Sequence, residues 1–463
     1  MEKQTIDSIL DRLGHSSMFH LSLGSKELFH SNFLYWLSIV DWDVFLTVIH
    51  GLANKDCFWW EEDLKSGKVI ADVRREFHNY DLSIYIRVSQ EEDKDNPMSK
   101  QETWIPVFVL ENKMKSLPRK DQLQDYTEKA FKEWCKTKKF NHIPELWEKN
   151  GITFVLLSLF IDKDFSSQCT CKKYKSSKND QSVSITAKWK TNNYKVLFDQ
   201  LNGQKLHNSN TLNQQILEDY CRFILALHEL AEGYWKICPE NLFVETIYPW
   251  AIKGWTADQQ VQLRIDDIRQ KVHYAQMEKM LFNEMEKAKI VACHAKDEAN
   301  KKKIKDEGKK MVMYNTSFAH NIGILEVSVE YCDDISIFIQ LQGNSYAHAF
   351  ARPKNRNAAE KLKNYRQQME TLFEFSIDGT TNEKGERVTD KYPSVLNAKV
   401  LYPQGINKQA VKKGMELRNF KYFGQGFVYQ NVLIPESVTI GQVIQAMVED
   451  TKRCLGIARV VTG

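Results

Sequence analysis

The sequence lacks the cysteine pattern and the leader segment that mark a secreted, disulfide-stabilised protein. Its nine cysteines are odd in number and irregularly spaced, which is typical of reduced thiols. The close pair Cys169 and Cys171 has no partner pair at zinc-finger spacing, so a structural zinc site is not expected. Residues 1–17 are charged from the second position and contain no apolar signal-peptide segment. We therefore expect a cytoplasmic location.

A long uncharged apolar run is also missing. The most apolar stretch, residues 33–53, is interrupted by Asp41 and Asp43. A membrane-spanning helix needs about 20 mostly uncharged apolar residues. The pattern therefore predicts two buried helices with a break near Asp41, and no membrane partner.

Strong net charge and nucleotide-binding motifs are absent as well. Lys and Arg total 64 and Asp and Glu total 60, a net charge of +4, so contact with nucleic acid would need a local basic patch. The Lys-rich run at 301–310 is either a solvated helix end or a sequence-independent phosphate contact. Residues 346–356, which mix aromatic and basic side chains, are either an ordinary loop or a nucleic-acid surface. The chain has no G-x-x-x-x-G-K-[ST] and no H-E-x-x-H pattern.

What the first half does contain is an alternation of helix and strand patterns. Its apolar spacing predicts four helices, over 25–40, 41–53, 119–137 and 211–230. It also predicts four strands, two within 69–88 and the others at 104–113 and 152–161. Residues 166–190 are rich in Ser and Lys and predict an exposed loop. This order predicts an α/β fold, a mixed sheet flanked by helices, over residues 1–235.

The second half has a different pattern, which predicts a separate α+β C-terminal domain. Residues 236–310 are charged and helical and predict a Lys-rich connector. Residues 311–463 predict an α+β domain with a role in recognition, oligomerisation or regulation. Its predicted elements are a strand hairpin at 323–331 and 335–343, a helix at 358–373, a strand at 427–434 and a terminal helix from 439.

One strand end in the first half carries residues suited to chemistry. Residues 107–116 read VFVLENKMKS, an apolar run followed by Glu111, Asn112 and Lys113. Because strand side chains alternate, Glu111 and Lys113 share one face and Asn112 takes the other. Asp81 opens a neighbouring predicted strand, so two carboxylates would converge there. Such a pair suits Mg²⁺, and a lysine beside it suits phosphodiester hydrolysis.

These residues belong to four motifs that together resemble the PD-(D/E)XK nuclease superfamily, in the branch that reads I-E-N-K followed by Q-L-x-x-Y. The first motif is ELFHSNFLYWL over 27–37, and the second is the strand pair around Arg75 and Asp81. The third and fourth are LENK at 110–113 and DQLQDY at 121–126. The resemblance covers about residues 15–230. It departs from the pattern in having Tyr80, rather than Pro, before the aspartate.

The resemblance implies a restriction-endonuclease-like fold and a metal site. Asp81 and Glu111 would be ligands of Mg²⁺ or Mn²⁺, and Lys113 would be the catalytic lysine. Glu27 would be an additional acid near the metal, contributed by the first helix of the motif set.

The last motif implies a helix face turned toward the same site. Gln122 and Tyr126 are four residues apart and therefore share that face. Gln122 would touch the attacking water or a phosphate, and Tyr126 would contact the substrate. The alternative for Tyr126 is a purely structural role, as an aromatic residue at the edge of the core.

Taken together, these patterns predict a Mg²⁺-dependent nuclease that hydrolyses DNA, with a place in prokaryotic restriction or anti-phage defence. Nucleic acid, most simply DNA, is the expected partner, with a homo-oligomer or a defence-system protein as further partners. One alternative is a nucleic-acid-binding module with a catalytically silent nuclease fold. Another is a regulatory or interaction protein in which the C-terminal domain dominates.

Overall fold

The structure, a computed structural model, divides the chain into two compact units. One comprises residues 1–235 with 262–264, and the other comprises residues 236–261 with 265–463. Each unit is described by itself. The described residues are 5–22, 26–88, 103–114, 120–136, 151–159, 168–175, 182–207, 210–248, 263, 265–295, 298–308, 311–319, 322–332, 335–351, 421–423 and 427–460.

A six-stranded mixed sheet forms the centre of the first unit. Its strands are β1 (Ile70–Arg75), β2 (Leu82–Val88), β3 (Thr103–Lys113), β4 (Thr153–Ser158), β5 (Gln168–Lys175) and β6 (Ser182–Asn193). They lie in the order β1-β2-β3-β4-β6-β5. The strands β1, β2 and β3 form an antiparallel meander, and β3, β4 and β6 run parallel to one another. The predicted mixed sheet is therefore confirmed, in the form of an α/β unit.

The parallel centre of this sheet explains the apolar runs of the sequence. Every residue of β4 is buried, as expected of a strand that is covered on both faces. On β3, residues 105–112 are all buried, so this strand also lies in the interior. The strands predicted at 69–88, 104–113 and 152–161 are confirmed.

The prediction of an exposed loop at 166–190 is wrong. Residues 168–175 and 182–193 are β5 and β6, which pair antiparallel, and β6 also pairs with β4. At the end of β6, Ala187 and Trp189 are buried while Lys188 and Lys190 are exposed. The alternation of a half-buried strand is therefore present at this end of β6, with Lys at its exposed positions.

Helices cover the sheet of the first unit. They are α1 (Ile6–Gly14), α2 (Ser17–Ser22), α3 (Lys26–Val40), α4 (Trp42–Ala53), α5 (Glu61–Lys65), α6 (Lys120–Lys136), α7 (Tyr194–Leu201) and α8 (Thr211–Tyr234). The predicted break at Asp41 is confirmed, because its Oδ1 accepts a hydrogen bond from Val44 N–H and caps α4. In the part of the chain that the structure describes, no helix has the length and apolarity needed to cross a bilayer.

The second unit is built on a seven-stranded mixed sheet. Its strands are β7 (Ala292–His294), β8 (Val312–Ala319), β9 (Ile322–Cys332), β10 (Ile335–Gln342), β11 (Ser345–Ala351), β12 (Lys421–Phe423) and β13 (Phe427–Leu433). They lie in the order β12-β13-β11-β10-β9-β8-β7, antiparallel except for β7 and β8. The predicted hairpin of β9 and β10 is confirmed. The helix predicted at 358–373 lies outside the described residues.

The described part of the second unit contains the helices α9 (Phe243–Ile247), α10 (Asp266–Lys287), α11 (Glu298–Asp306) and α12 (Ile440–Val460). The helix α10 was expected in a connector, but it contributes Tyr274, Met277 and Leu281 to the same apolar core as the sheet. The side chains of α12 complete that core, among them Val443 and Met447. Residues 266–287 therefore belong to the packed body of the second unit.

Candidate active site

The ends of β2 and β3 bring the predicted acidic residues together. The antiparallel register ends with Leu82 opposite Leu110, so Asp81 lies one residue beyond the last pair, on the side of Glu111. The backbone N–H of Asn112 donates to Asp81 Oδ2 across 2.6 Å. This charge-assisted hydrogen bond holds one carboxylate oxygen of Asp81 against the end of β3.

The carboxylate of Glu111 lies in direct contact with the amine of Lys113. Lys113 Nζ is 2.6 Å from Glu111 Oε1, and the two side chains are 13% and 2% exposed. The spacing of two residues on one strand face thus brings the charges together, as the sequence predicted. Two ions so shielded from water interact strongly, because the surrounding protein screens them weakly.

The helix α6 covers this face of the sheet with the predicted Gln122 and Tyr126. Gln122 Nε2 donates to Glu111 Oε1 and to the hydroxyl of Tyr126, both at 2.9 Å. Gln122 therefore links the buried carboxylate to a phenol one helical turn further along α6. The structure brings Asp81, Glu111, Lys113, Gln122 and Tyr126 into one cluster.

The electrostatics of Tyr126 reflect its place in this cluster. Burial is the largest effect that raises the pKa of its phenol, and the negative charge of Glu111 raises it further. The hydrogen bond from Gln122 and the positive charge of Lys113 act in the opposite direction. Because the net shift is upward, Tyr126 is a neutral hydroxyl at physiological pH and serves as a hydrogen-bonding group.

The turn that leads into Asp81 has an unusual backbone. Glu76, His78 and Asn79 have φ values of 51°, 56° and 69°, a region that side chains other than Gly seldom adopt. Each costs roughly 1 kcal/mol or more relative to an unstrained residue. The α6 carboxylate of Glu133 holds the turn, with Oε1 3.1 Å from His78 Nε2. The same carboxylate accepts a hydrogen bond of 2.6 Å from the hydroxyl of Tyr85 on β2.

On the opposite face of the sheet, Asn112 contacts a tyrosine that the sequence did not predict at the site. The hydroxyl of Tyr194, the first residue of α7, donates to Asn112 Oδ1 at 2.6 Å. The ring of His30 lies edge-on to Tyr194 with centroids 4.8 Å apart. The one sequence signal for this contact was the alternation that turns Asn112 away from Glu111 and Lys113.

The histidine of this group is buried and neutral. Burial lowers the pKa of His30 to about 3. Its Nδ1 forms a hydrogen bond of 2.9 Å with the hydroxyl of Tyr220 on α8. His30 therefore joins α3, α7 and α8 behind the strand ends.

The remaining predicted acid is Glu27. Glu27 is the second residue of α3, and its side chain is not among those that the structure describes. Across the described ranges, no group of three or more His, Cys, Asp or Glu side chains is arranged to hold a metal. Asp81 and Glu111 still fit Mg²⁺ or Mn²⁺ as a donor set, because Mg²⁺ often takes one or two carboxylates together with waters and substrate phosphates.

Comparison of the chain with models of protein families, with curated proteins and with solved structures gives no match. The resemblance to a nuclease superfamily is therefore carried by the four sequence motifs alone.

Proposed function

We propose that the first unit is a metal-dependent nuclease that hydrolyses phosphodiester bonds of DNA. The observation that carries the proposal is the cluster at the ends of β2 and β3. Glu111 contacts the amine of Lys113 and the amide of Gln122. The second carboxylate, that of Asp81, is held against the same strand end by the N–H of Asn112. This combination of charges and donors suits the binding of a phosphate and the positioning of a water molecule.

The mixed sheet flanked by helices is compatible with the restriction-endonuclease-like fold that the motifs imply. The motif residues of β2, β3 and α6 lie at one place in space, although they are spread over 46 positions of the chain. Chance matches to the last three of these motifs would have no reason to converge in this way. The convergence supports membership of the PD-(D/E)XK superfamily, which remains a proposal.

Asp81 and Glu111 would hold Mg²⁺ or Mn²⁺, with Glu27 as a further acid. When bound, the metal would offset charge on the scissile phosphate and make a water molecule easier to deprotonate. Asn112 N–H orients the carboxylate of Asp81 for this task. The chemistry of the residues thus fits an oxygen-liganded cation.

Lys113 and Gln122 supply hydrogen-bond donors beside these carboxylates. The Lys113 ammonium would counter the negative charge that builds up on the phosphate as the water attacks. Gln122, held between Glu111 and Tyr126, would direct its amide toward the water or a phosphate oxygen. Tyr126, neutral at physiological pH, would contact the substrate as a hydroxyl.

The second unit would select the substrate, form an oligomer or regulate the first unit. A role in prokaryotic restriction or anti-phage defence, together with a cytoplasmic location, is part of the same proposal. Both rest on the resemblance alone.

A cleavage assay with matched lysine variants tests the proposal. Wild type, Lys113→Ala and Lys68→Ala would be incubated with single- and double-stranded DNA, and with RNA, in Mg²⁺, Mn²⁺ or EDTA. Lys68 is 73% exposed and pairs with Asp63, so it controls for the loss of a positive charge. We expect metal-dependent cleavage of DNA by wild type and Lys68→Ala, and a loss of at least about a hundredfold in Lys113→Ala.

Three results would redirect the proposal. Cleavage that persists in Lys113→Ala would mean a contaminant or another site. Metal-independent DNA binding without cleavage in any condition would favour the silent nucleic-acid-binding module. No affinity for nucleic acid even at low salt, where phosphate attraction is strongest, would favour the regulatory or interaction protein.

A further inference from the structure

The strand end that carries the candidate site is held from behind by a buried tyrosine. Glu111 and Lys113 face α6, whereas Asn112 faces α7 and is 1% exposed. Tyr194, which is fully buried, donates its hydroxyl proton to Asn112 Oδ1 at 2.6 Å. We propose that Tyr194 is a positioning residue, which acts on the site through Asn112. Its effect on catalysis rests on the proposed function.

Asn112 has two roles at the strand end. Its backbone N–H donates to Asp81 Oδ2, while its side chain accepts from Tyr194. One residue therefore links the carboxylate of Asp81 on one strand to a helix on the far side of the sheet. A rotation of the peptide at Asn112 that moved its side chain away from Tyr194 would also swing its N–H away from Asp81.

Such a rotation would cost free energy. Both members of the Tyr194–Asn112 pair are buried, so bulk water is not at hand to replace the broken hydrogen bond. Leaving a buried polar group unsatisfied is unfavourable, so this hydrogen bond adds to the parallel pairing of β3 with β4 in holding the strand end in one orientation. Small displacements of reacting groups lower rates steeply, even when the altered residue touches no substrate.

Tyr194 is itself held in place by its neighbours. It follows β6 directly and begins α7, whose N-cap is Asn193, with Oδ1 accepting from Val196 N–H. Its ring packs edge-on against the buried ring of His30 on α3. The tyrosine is thus fixed by a strand end, a helix start and a neighbouring helix, which leaves its hydroxyl little freedom.

The experiment compares two buried tyrosines that differ in what they touch. Tyr194→Phe removes the hydroxyl that contacts Asn112. Tyr220→Phe removes a hydroxyl of equal burial that contacts His30 Nδ1. Asn112→Ala removes the Tyr194 bond from its other side. Steady-state cleavage of DNA and amide hydrogen exchange of the peptide spanning 108–113 would be measured for each variant.

We expect Tyr194→Phe to lower kcat at least about tenfold, with KM for DNA within about twofold of wild type. We expect faster exchange at the Asn112 amide in Tyr194→Phe and Asn112→Ala, but unchanged exchange in Tyr220→Phe. Equal effects of Tyr194→Phe and Tyr220→Phe on kcat and exchange would mean a purely structural role and overturn the inference.

The exchange measurement also separates this inference from the proposed function. If wild type cleaves nothing but exchange is accelerated only in Tyr194→Phe and Asn112→Ala, the nuclease proposal is overturned. The positioning of Asn112 by Tyr194 then still holds. If wild type cleaves DNA but kcat and exchange are unaltered in Tyr194→Phe, the positioning role of Tyr194 is overturned. The nuclease proposal then still holds.

Discussion

Lys113 Nζ lies 2.6 Å from Glu111 Oε1 on the same face of one strand, with both side chains largely shielded from water. Burying two such charges costs solvation free energy, and the ion pair offsets that cost only while both partners are present. Removing either residue therefore affects folding as well as any chemistry. Variants of this pair must separate the two effects.

Substituting Lys113 by Ala and by Arg separates the effect on folding from the effect on cleavage. We expect Lys113→Ala to lower the free energy of unfolding by about 1–3 kcal/mol, because Glu111 loses a charged partner in a buried place. Lys113→Arg keeps the charge and should recover much of this loss, but its planar, larger head group should not restore cleavage. Urea denaturation and the cleavage rate would be measured for both variants. An arginine variant that cleaves at the wild-type rate would contradict a specific role for the amine.

Metal binding should be visible as a gain in thermal stability. A ligand that binds only the folded state stabilises it by RT ln(1 + [L]/Kd), about 1.4 kcal/mol at ten times Kd. We expect Mg²⁺ or Mn²⁺ to raise the melting temperature of wild type relative to EDTA, and to leave Glu111→Gln unchanged. Asp63→Asn, which alters a carboxylate that is 40% exposed and pairs with Lys68, is the control and should respond like wild type. An equal response of all three proteins would place the metal elsewhere.

Gln122 and Tyr126 on α6 should contribute unequally to the cleavage rate. Gln122→Ala removes an amide that donates to both Glu111 and Tyr126, so we expect a loss of cleavage of about tenfold to a hundredfold. Tyr126→Phe removes only the hydroxyl and should lose less than about tenfold. Because the pKa of Tyr126 is raised, we also expect the pH–rate profile below pH 9 to keep its shape in Tyr126→Phe. A limb of the profile that vanishes in this variant would show that the phenol ionises during the reaction.

Acid should weaken the first unit through His30. Its pKa is lowered to about 3 in the folded protein, whereas an unfolded histidine titrates near 6.5. Between these values the unfolded chain binds the extra proton, so the free energy of unfolding falls as pH falls. For this residue alone the loss between pH 7.5 and pH 5 is about 2 kcal/mol. His30→Phe should reduce the difference in urea stability between these two pH values by this amount, whereas exposed His15→Gln should not.

The second unit should depend on a buried carboxylate of α12. Asp450 Oδ2 accepts a hydrogen bond of 2.7 Å from the Tyr346 hydroxyl and lies 3.2 Å from His348 Nε2, and all three side chains are fully buried. We expect Asp450→Ala to lower the free energy of unfolding by about 3–5 kcal/mol. Its neighbour Glu449 bonds to Gln445 at an exposed position, so Glu449→Ala should cost less than about 1 kcal/mol. Chemical denaturation of the full chain would compare the two.

Much of the first unit could be predicted because its signals are local. Apolar runs locate β3 and β4, and Asp41 interrupts the helices at the residue where its side chain caps α4. The spacing of Glu111 and Lys113 was enough to predict that they share a face. Gln122 and Tyr126 followed from the helix period in the same way.

The features that could not be predicted depend on tertiary packing. The strand β6 was taken for a loop because the burial of Trp189 depends on α6, where Thr127 Oγ1 accepts a hydrogen bond from its indole N–H. The contact of Tyr194 with Asn112 joins residues 82 positions apart, and no local pattern indicates which helix covers the far face of a strand. The helix α10 carries many charges, yet its buried stripe joins the core of the second unit.

The alternation along β3 has a consequence for folding accuracy. A slip of one position against β2 would exchange the two faces of the strand, turning Glu111 and Lys113 toward the buried environment of Asn112, without Gln122 beside them. Asn112 would then lose Tyr194 and face α6. Such a misaligned chain would be strongly disfavoured. The charges of Glu111 and Lys113 therefore also disfavour incorrect strand pairing while the sheet assembles. Neutralising both of them should produce a protein that misfolds more often, even where its native contacts are otherwise intact.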